Sequence, residues 1–189
     1  MKERIRKYIK RATFWDWLTN GAFVIIVLIL LVPSWRIAFQ KTILGWTLGS
    51  PDIKKEVSQP EIPVNWNFYK ADGSEVAFQE FYDQKVFINF WASWCAPCLA
   101  EMPSLVKQSN ELKGEVVFIF LTKDKKEKVK SVMQDYSNSS ALFYFYSELP
   151  EMVSHNSIPY SIWINEGKMT AYYAGAADWS NEDILNGFE

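Results

Sequence analysis

The chain has 189 residues, of which 49% are hydrophobic, 22% charged and 16% aromatic. That is enough for one domain with an appendage, too little for two full-sized domains, and too apolar for a disordered chain. The net charge of −2 hides a division: residues 1–50 hold eight Lys/Arg against two acids, whereas residues 51–189 hold twelve Lys against twenty acids. The larger part is therefore acidic and has no electrostatic footprint for nucleic acid. Two cysteines and one histidine furnish neither a four-ligand zinc site nor a multi-disulfide framework. The cysteines can act only as a pair.

Residues 1–50 open with a basic head of Lys2, Arg4, Arg6, Lys7, Lys10 and Arg11. An apolar run follows, unbroken over residues 22–32. Counted from Trp17 to Trp35 it is 19 residues long, close to the ~20 that a membrane-spanning helix needs. Trp15, Trp17 and Trp35 flank it, as interfacial aromatic residues do. The expectation is an uncleaved transmembrane anchor with its N-terminus in the cytoplasm and the acidic domain exported. The rival is a cleaved secretory signal; against it stand a long basic and polar leader and the lack of an A-x-A-like site. Residues 35–48 read either as an amphipathic helix in the outer membrane interface or as a connector. Residues 51–63, with three prolines, read as a linker.

Residues 64–189 alternate strand and helix signals. Segments 64–70 and 75–78 read as a hairpin across Ala71-Asp72-Gly73. Residues 86–91 (VFINFW) are a strand buried on both faces. A helix over 96–113 follows, with Cys98, Met102, Leu105 and Leu112 on one face and Gly114 beyond its end. A second apolar strand over 116–121 completes a right-handed βαβ unit. Then come a helix carrying Val129, Val132, Met133 and Tyr136, a strand over 142–146, a hairpin of 160–165 with 168–174, and a closing helix over 181–188. The order predicts an α/β sandwich around one mixed sheet, βαβ then ββα. The lysine-rich stretch 123–130 reads as a solvated helix face, and His155 as a surface histidine.

Cys95-Ala96-Pro97-Cys98 lies directly after a buried strand, at the start of a helix. There the backbone N–H groups and the helix dipole stabilise a thiolate, lowering its pKa from ~8.5 into the range of about 3.5–7.5. Cys95 would be the exposed, attacking sulfur and Cys98 the resolving one. Pro97 costs nothing in a first turn that can spare its N–H. An inert staple is the bland alternative, but so small a ring removes little chain entropy. A metal would need two further ligands that the sequence lacks.

The run Asn89-Phe90-Trp91-Ala92-Ser93-Trp94-Cys95-Ala96-Pro97-Cys98 resembles the active-site signature of the thioredoxin fold. Its continuation Leu99-Ala100-Glu101-Met102-Pro103 is similar to the membrane-anchored TlpA/ResA-like branch, patterned WCxPCxxExP, and the likeness spans about residues 61–188. The resemblance implies a thioredoxin-like three-layer sandwich behind a transmembrane helix, in a protein of the bacterial inner membrane that exchanges disulfides outside the cytoplasm. Its catalytic residues would be Cys95 and Cys98. Trp94, Ala96, Pro97, Ile158 and Pro159 would contact substrate, with Pro159 in a cis peptide beside the pair. The partners implied are an exported disulfide-bearing client such as apocytochrome c, and a membrane thiol reductase as electron donor. No cofactor or metal is expected.

Glu101 is predicted at the edge of the buried helix face, about 60° around the wheel from Cys98. A carboxylate half-drawn into that face would have a raised pKa and could exchange a proton with Cys98. The alternative is an exposed glutamate in a helix first turn. Asn89 stands where many thioredoxins carry a buried aspartate, which leaves Glu101 as the titrating group. The Tyr-Ser-Ile-Trp-Ile stretch after Pro159 departs from the Thr-rich start more common in the family, leaving the client open. A thiol oxidant and a copper chaperone using His155 are the competing functions; a peroxidase is disfavoured because no P-x-x-x-T-x-x-C pattern surrounds Cys95.

Overall fold

The computed structural model describes residues 13–56, 58–180 and 184–188; the basic head lies outside them. The chain divides into two compact units, Met1–Gln40 and Lys41–Glu189.

In the first unit, helix α1 (Phe14–Leu31) begins where the Asp16 carboxylate accepts from the Thr13 N–H at 2.7 Å. It ends at Val32, because Pro33 has no N–H with which to continue the helical ladder; α2 (Pro33–Thr47) starts there instead. Proline suits that first position. The expected 17–35 span is thus cut in two. The 18 residues of α1 reach about 27 Å at 1.5 Å per residue, against a hydrocarbon core of about 30 Å. Its first two turns carry Asp16, Thr19 and Asn20. Among the described residues no helix is long and apolar enough to cross a membrane.

The second unit is built on an eight-stranded mixed sheet. Its strands are β1 (Lys54–Lys55), β2 (Asn67–Tyr69), β3 (Glu75–Ala77), β4 (Lys85–Phe90), β5 (Val116–Thr122), β6 (Leu142–Phe145), β7 (Tyr160–Asn165) and β8 (Lys168–Ala174). Their spatial order is β1-β8-β7-β4-β5-β6-β2-β3. Helix α3 (Ala96–Glu111) connects the parallel pair β4 and β5, and α4 (Lys126–Asp135) connects the parallel pair β5 and β6. On the other side β7 pairs antiparallel with β4, and β8 pairs antiparallel with β7. This is the expected βαβ-then-ββα order.

Strand β4 explains its own composition. Val86, Ile88 and Phe90 point into a core shared with Phe68, Ile119, Leu121, Ile162 and Ile164. Phe87 points the other way, against Trp163 (4.9 Å between ring centres) and Trp179 (5.6 Å). With both faces covered, a continuous apolar run replaces alternation. Asn89 interrupts that run on the second face, with Ser161 opposite it on β7. This register builds the site.

Three boundaries differ from expectation. Residues 51–63 are no free linker: β1 pairs with β8, the Glu56 N–H donates to the Thr170 carbonyl at 2.7 Å, and Ile62 is fully buried. The first strand of the 64–78 hairpin, β2, starts only at Asn67, because Pro63–Trp66 is a turn closed by the Trp66 N–H on the Pro63 carbonyl. The closing helix is a 3-10 turn over Ile184–Phe188, with 181–183 outside the described residues. There Trp163 Nε1 and Thr170 Oγ1 donate to the carbonyls of Ile184 (2.8 Å) and Gly187 (2.6 Å), so donors from β7 and β8 tie this turn to the sheet.

Candidate active site

The end of β4 delivers the motif. The Trp91 N–H still bonds to the Leu121 carbonyl, after which the chain leaves the sheet and turns, with the Cys95 N–H on the Ala92 carbonyl at 3.1 Å. The Asp124 carboxylate, in the loop after β5, accepts from the Ser93 N–H at 2.6 Å and ties the two loops together. Cys95 is the N-cap of α3, and its sulfur accepts from the Cys98 N–H at 3.2 Å. Ala96 and Pro97 fill the first helical positions, where the missing proline N–H is one the helix would not have used.

Cys95 and Cys98 form a disulfide, with 5.3 Å between their Cα atoms. Neither sulfur stands far out: Cys95 is 5% exposed and Cys98 fully buried. Access thus favours Cys95, but by less than the helix-end position alone suggested. Trp94 beside it is 63% exposed, Ala96 is buried and Pro97 half-buried. The Ile158–Pro159 peptide is cis, with Pro159 buried and Ile158 half-buried. Because Phe90 sits opposite Tyr160, Pro159 lies at the sheet end from which Trp91 leads to Cys95.

Glu101, one turn beyond Cys98, is not at an edge but fully buried. Its Oε1 accepts from Asn89 Nδ2 at 2.9 Å; its Oε2 accepts from the Ala177 N–H and from Trp179 Nε1, each at 3.1 Å. Asn89 Nδ2 also donates to Ser161 Oγ at 3.0 Å. Burial pushes the Glu101 carboxyl up to about 7, partly opposed by the hydrogen bonds from Trp179, Asn89 and the Ala177 amide. The proton of this group is therefore poised near neutrality. Sequence reasoning found Glu101 and Asn89 but missed Ala177, Trp179 and Ser161. A tryptophan in an aperiodic segment after the last strand was the one available sign, and nothing ties it to Glu101 until the fold closes.

His155 departs from the surface reading. It stacks on Tyr160 (4.9 Å), lies tilted against Phe90 (4.4 Å) and donates from Nδ1 to the Val153 carbonyl (3.1 Å), and burial lowers its pKa. Among the described residues no group of three His, Cys, Asp or Glu is placed to hold a metal ion.

The Redoxin family model matches residues 51–171. Thioredoxin-like protein YneN of Bacillus subtilis is 32% identical over 89 residues, 44% of this chain and 52% of that protein, so the match spans about half of that relative's length. Thiol-disulfide oxidoreductase ResA of Bacillus subtilis is 25% identical over 138 residues, 70% of this chain and 77% of that one. Among solved structures, the thioredoxin domain of a thiol-disulfide oxidoreductase from Bacteroides vulgatus superposes with a TM-score of 0.55 at 21% identity, covering 75% of this chain and 96% of that one. These structural likenesses speak for the fold alone. A cysteine pair capping α3 at the end of a central parallel strand, together with a family match over more than half of the sequence, places the chain in the Redoxin family, as a TlpA/ResA-like thioredoxin-fold protein.

Proposed function

We propose that the protein is a thiol–disulfide oxidoreductase that is tethered to the bacterial inner membrane and reduces client disulfides outside the cytoplasm, apocytochrome c being one such client. The observation that carries the chemistry is the cap geometry: the Cys98 N–H already points at Cys95 Sγ, where it and the helix dipole would hold a thiolate. Starting from the dithiol, Cys95 Sγ attacks one client sulfur; the client S–S bond breaks and its other sulfur leaves as a thiolate. Cys98 then attacks Cys95 Sγ, forming the intramolecular disulfide and releasing the second client thiol. Two electrons pass to the client, and its two sulfurs end protonated. Glu101 accepts the Cys98 proton when Cys98 attacks, and returns one when the pair is reduced again. A membrane thiol reductase would return the electrons, since the compartment is oxidising. The tether is supported by the basic head and by the bare apolar side chains of α1, where Phe23 is 67% and Ile25 59% exposed.

The test divides labour between the sulfurs. In the reduced protein Cys95 should alkylate faster than Cys98, and Cys98→Ser should leave Cys95 trapped in mixed disulfides with clients, identified by mass spectrometry. Normal turnover by Cys98→Ser, or a faster Cys98, would overturn the assignment.

A further inference from the structure

Lys123, Lys125, Lys126, Lys128 and Lys130 are all exposed, and among the described residues none forms an ion pair. They share residues 123–130 with Val129 and only two acids, Asp124 and Glu127, in a region (51–189) that otherwise carries eighteen acids against seven lysines. A solvated helix face would explain such a stretch anywhere on the surface. Its place in the fold is more specific. β5 neighbours β4 in parallel, so the loop after β5 runs about 5 Å to the side of the loop that carries the cysteines.

Four contacts join the two loops and the face beside them. Asp124 holds the Ser93 N–H at 2.6 Å, one residue before the exposed Trp94. Lys123 Nζ lies 5.0 Å over the Tyr146 ring. Tyr146 in turn meets Phe90 edge-on (5.6 Å), and Phe90 meets Tyr160, the neighbour of Pro159 (6.1 Å). Further along, Lys126 and Lys130 flank a groove of about 450 Å³ with Met133 and Ala71 in its lining. Tyr69 sits opposite Phe145, and Phe145 opposite Thr122; because β2 runs antiparallel to β6, Ala71 lies back from the cysteine end of the sheet, and the groove leads away from that end starting at Lys126.

We propose that segment 123–130 is a docking surface that selects client disulfides flanked by acidic residues, Lys123 lying nearest the cysteines and Lys126 and Lys130 seating the flanking chain at the groove. This rests on the oxidoreductase reading and adds the chemical class of its client. The occupant is a protein segment because the lysines adjoin the redox loop; positive charge beside that loop raises the encounter rate with an anionic partner.

The test uses the full chain in uncharged detergent, reduced with dithiothreitol and desalted. Three synthetic peptides share one disulfide-closed ring, flanked by aspartates, serines or lysines. At low ionic strength the aspartate peptide should be reduced on the order of tenfold faster than the serine peptide, and high salt should close the gap. Lys123→Glu, Lys126→Glu and Lys130→Glu together should transfer the advantage to the lysine peptide and leave the serine peptide within about twofold, which also shows the variant folded. Equal rates for all three peptides, or an unchanged preference in the variant, overturn the surface while leaving the oxidoreductase reading intact. Failure to reduce any peptide overturns both. A preference unchanged in the variant, with loss only of binding to phosphatidylglycerol vesicles, overturns the client surface and assigns the lysines to lipid.

Discussion

Glu101 is fully buried and has three N–H donors on it, a balance that leaves its carboxyl up at about 7. The folded state therefore binds its proton more tightly than the unfolded chain, whose ordinary value is 4.5. Below about 4.5 both states are protonated and nothing is lost; between there and about 7 the unfolded chain ionises first, so stability falls as pH rises, by up to about 3 kcal/mol, and levels off above. Glu101→Gln should remove this slope. The replacement amide oxygen can keep the Trp179 and Ala177 bonds, and its N–H₂ can be received by Asn89 Oδ1, a buried atom without a partner among the described residues, once that amide turns over. Denaturant unfolding of the oxidised protein at pH 4.5 and 8 checks this, and equal pH slopes would show that Glu101 does not titrate. In the reduced protein the same change should shift the pH profile of thiol alkylation, because an adjacent negative charge disfavours a second one. Superimposable profiles would reduce Glu101 to a structural residue. Cys95, Cys98 and Glu101 were legible because they share one helix, and helical periodicity is written in the sequence. Ala177 and Trp179, 76 and 78 residues away, were not, because their segment has no period.

The elements that could be read directly are those whose burial sets their composition. β4, β5 and the β7–β8 hairpin are strands covered on both faces or paired locally, and β7 and β8 begin and end where their residues predict. β1 escaped because two exposed residues held by backbone pairing alone leave no side-chain pattern. The hairpin turn yields a discriminating pair of substitutions. Glu166 and Gly167 both have positive φ, 48° and 73°, as a two-residue turn matching the strand twist requires. A Cβ on Gly167 would run into the Tyr82 ring, whose hydroxyl is fixed to Glu61 at 2.6 Å. Gly73 also has positive φ (88°) but open space around it. Gly73→Ala should cost about 1 kcal/mol for the backbone alone; Gly167→Ala should cost a further 1–3 kcal/mol or so for overpacking. Denaturant midpoints compare the two, and equal losses would mean that Tyr82 moves aside freely.

Across the whole molecule, charge and apolar surface are sorted along the chain. Residues 1–50 carry the excess of basic groups and residues 51–189 the excess of acids, while the exposed large apolar side chains concentrate in α1 and α2, from Phe14 to Trp46. Val24 and Ile26 are 55% and 54% exposed, and an apolar helix so bare is stable where lipid covers it. The cut at Pro33 was readable in the sequence, as proline ends helices; composition averaged over residues 17–35 conceals it. If α1 is the anchor, the full-length chain should remain with the membrane through a carbonate wash, and alkaline phosphatase fused to its C-terminus should be active, since positive charge keeps the other end in the cytoplasm. Replacing Val24 and Ile26 together by Asp should release it, because each aspartate near the centre of a span costs about 3 kcal/mol of insertion. Neither residue belongs to the thioredoxin-like unit, so the released protein should still reduce a disulfide peptide at the parental rate. A shortened, soluble product from the unaltered chain would mean instead that the segment is a signal removed on export, and retention of the double variant would mean that something other than α1 holds the protein to the membrane.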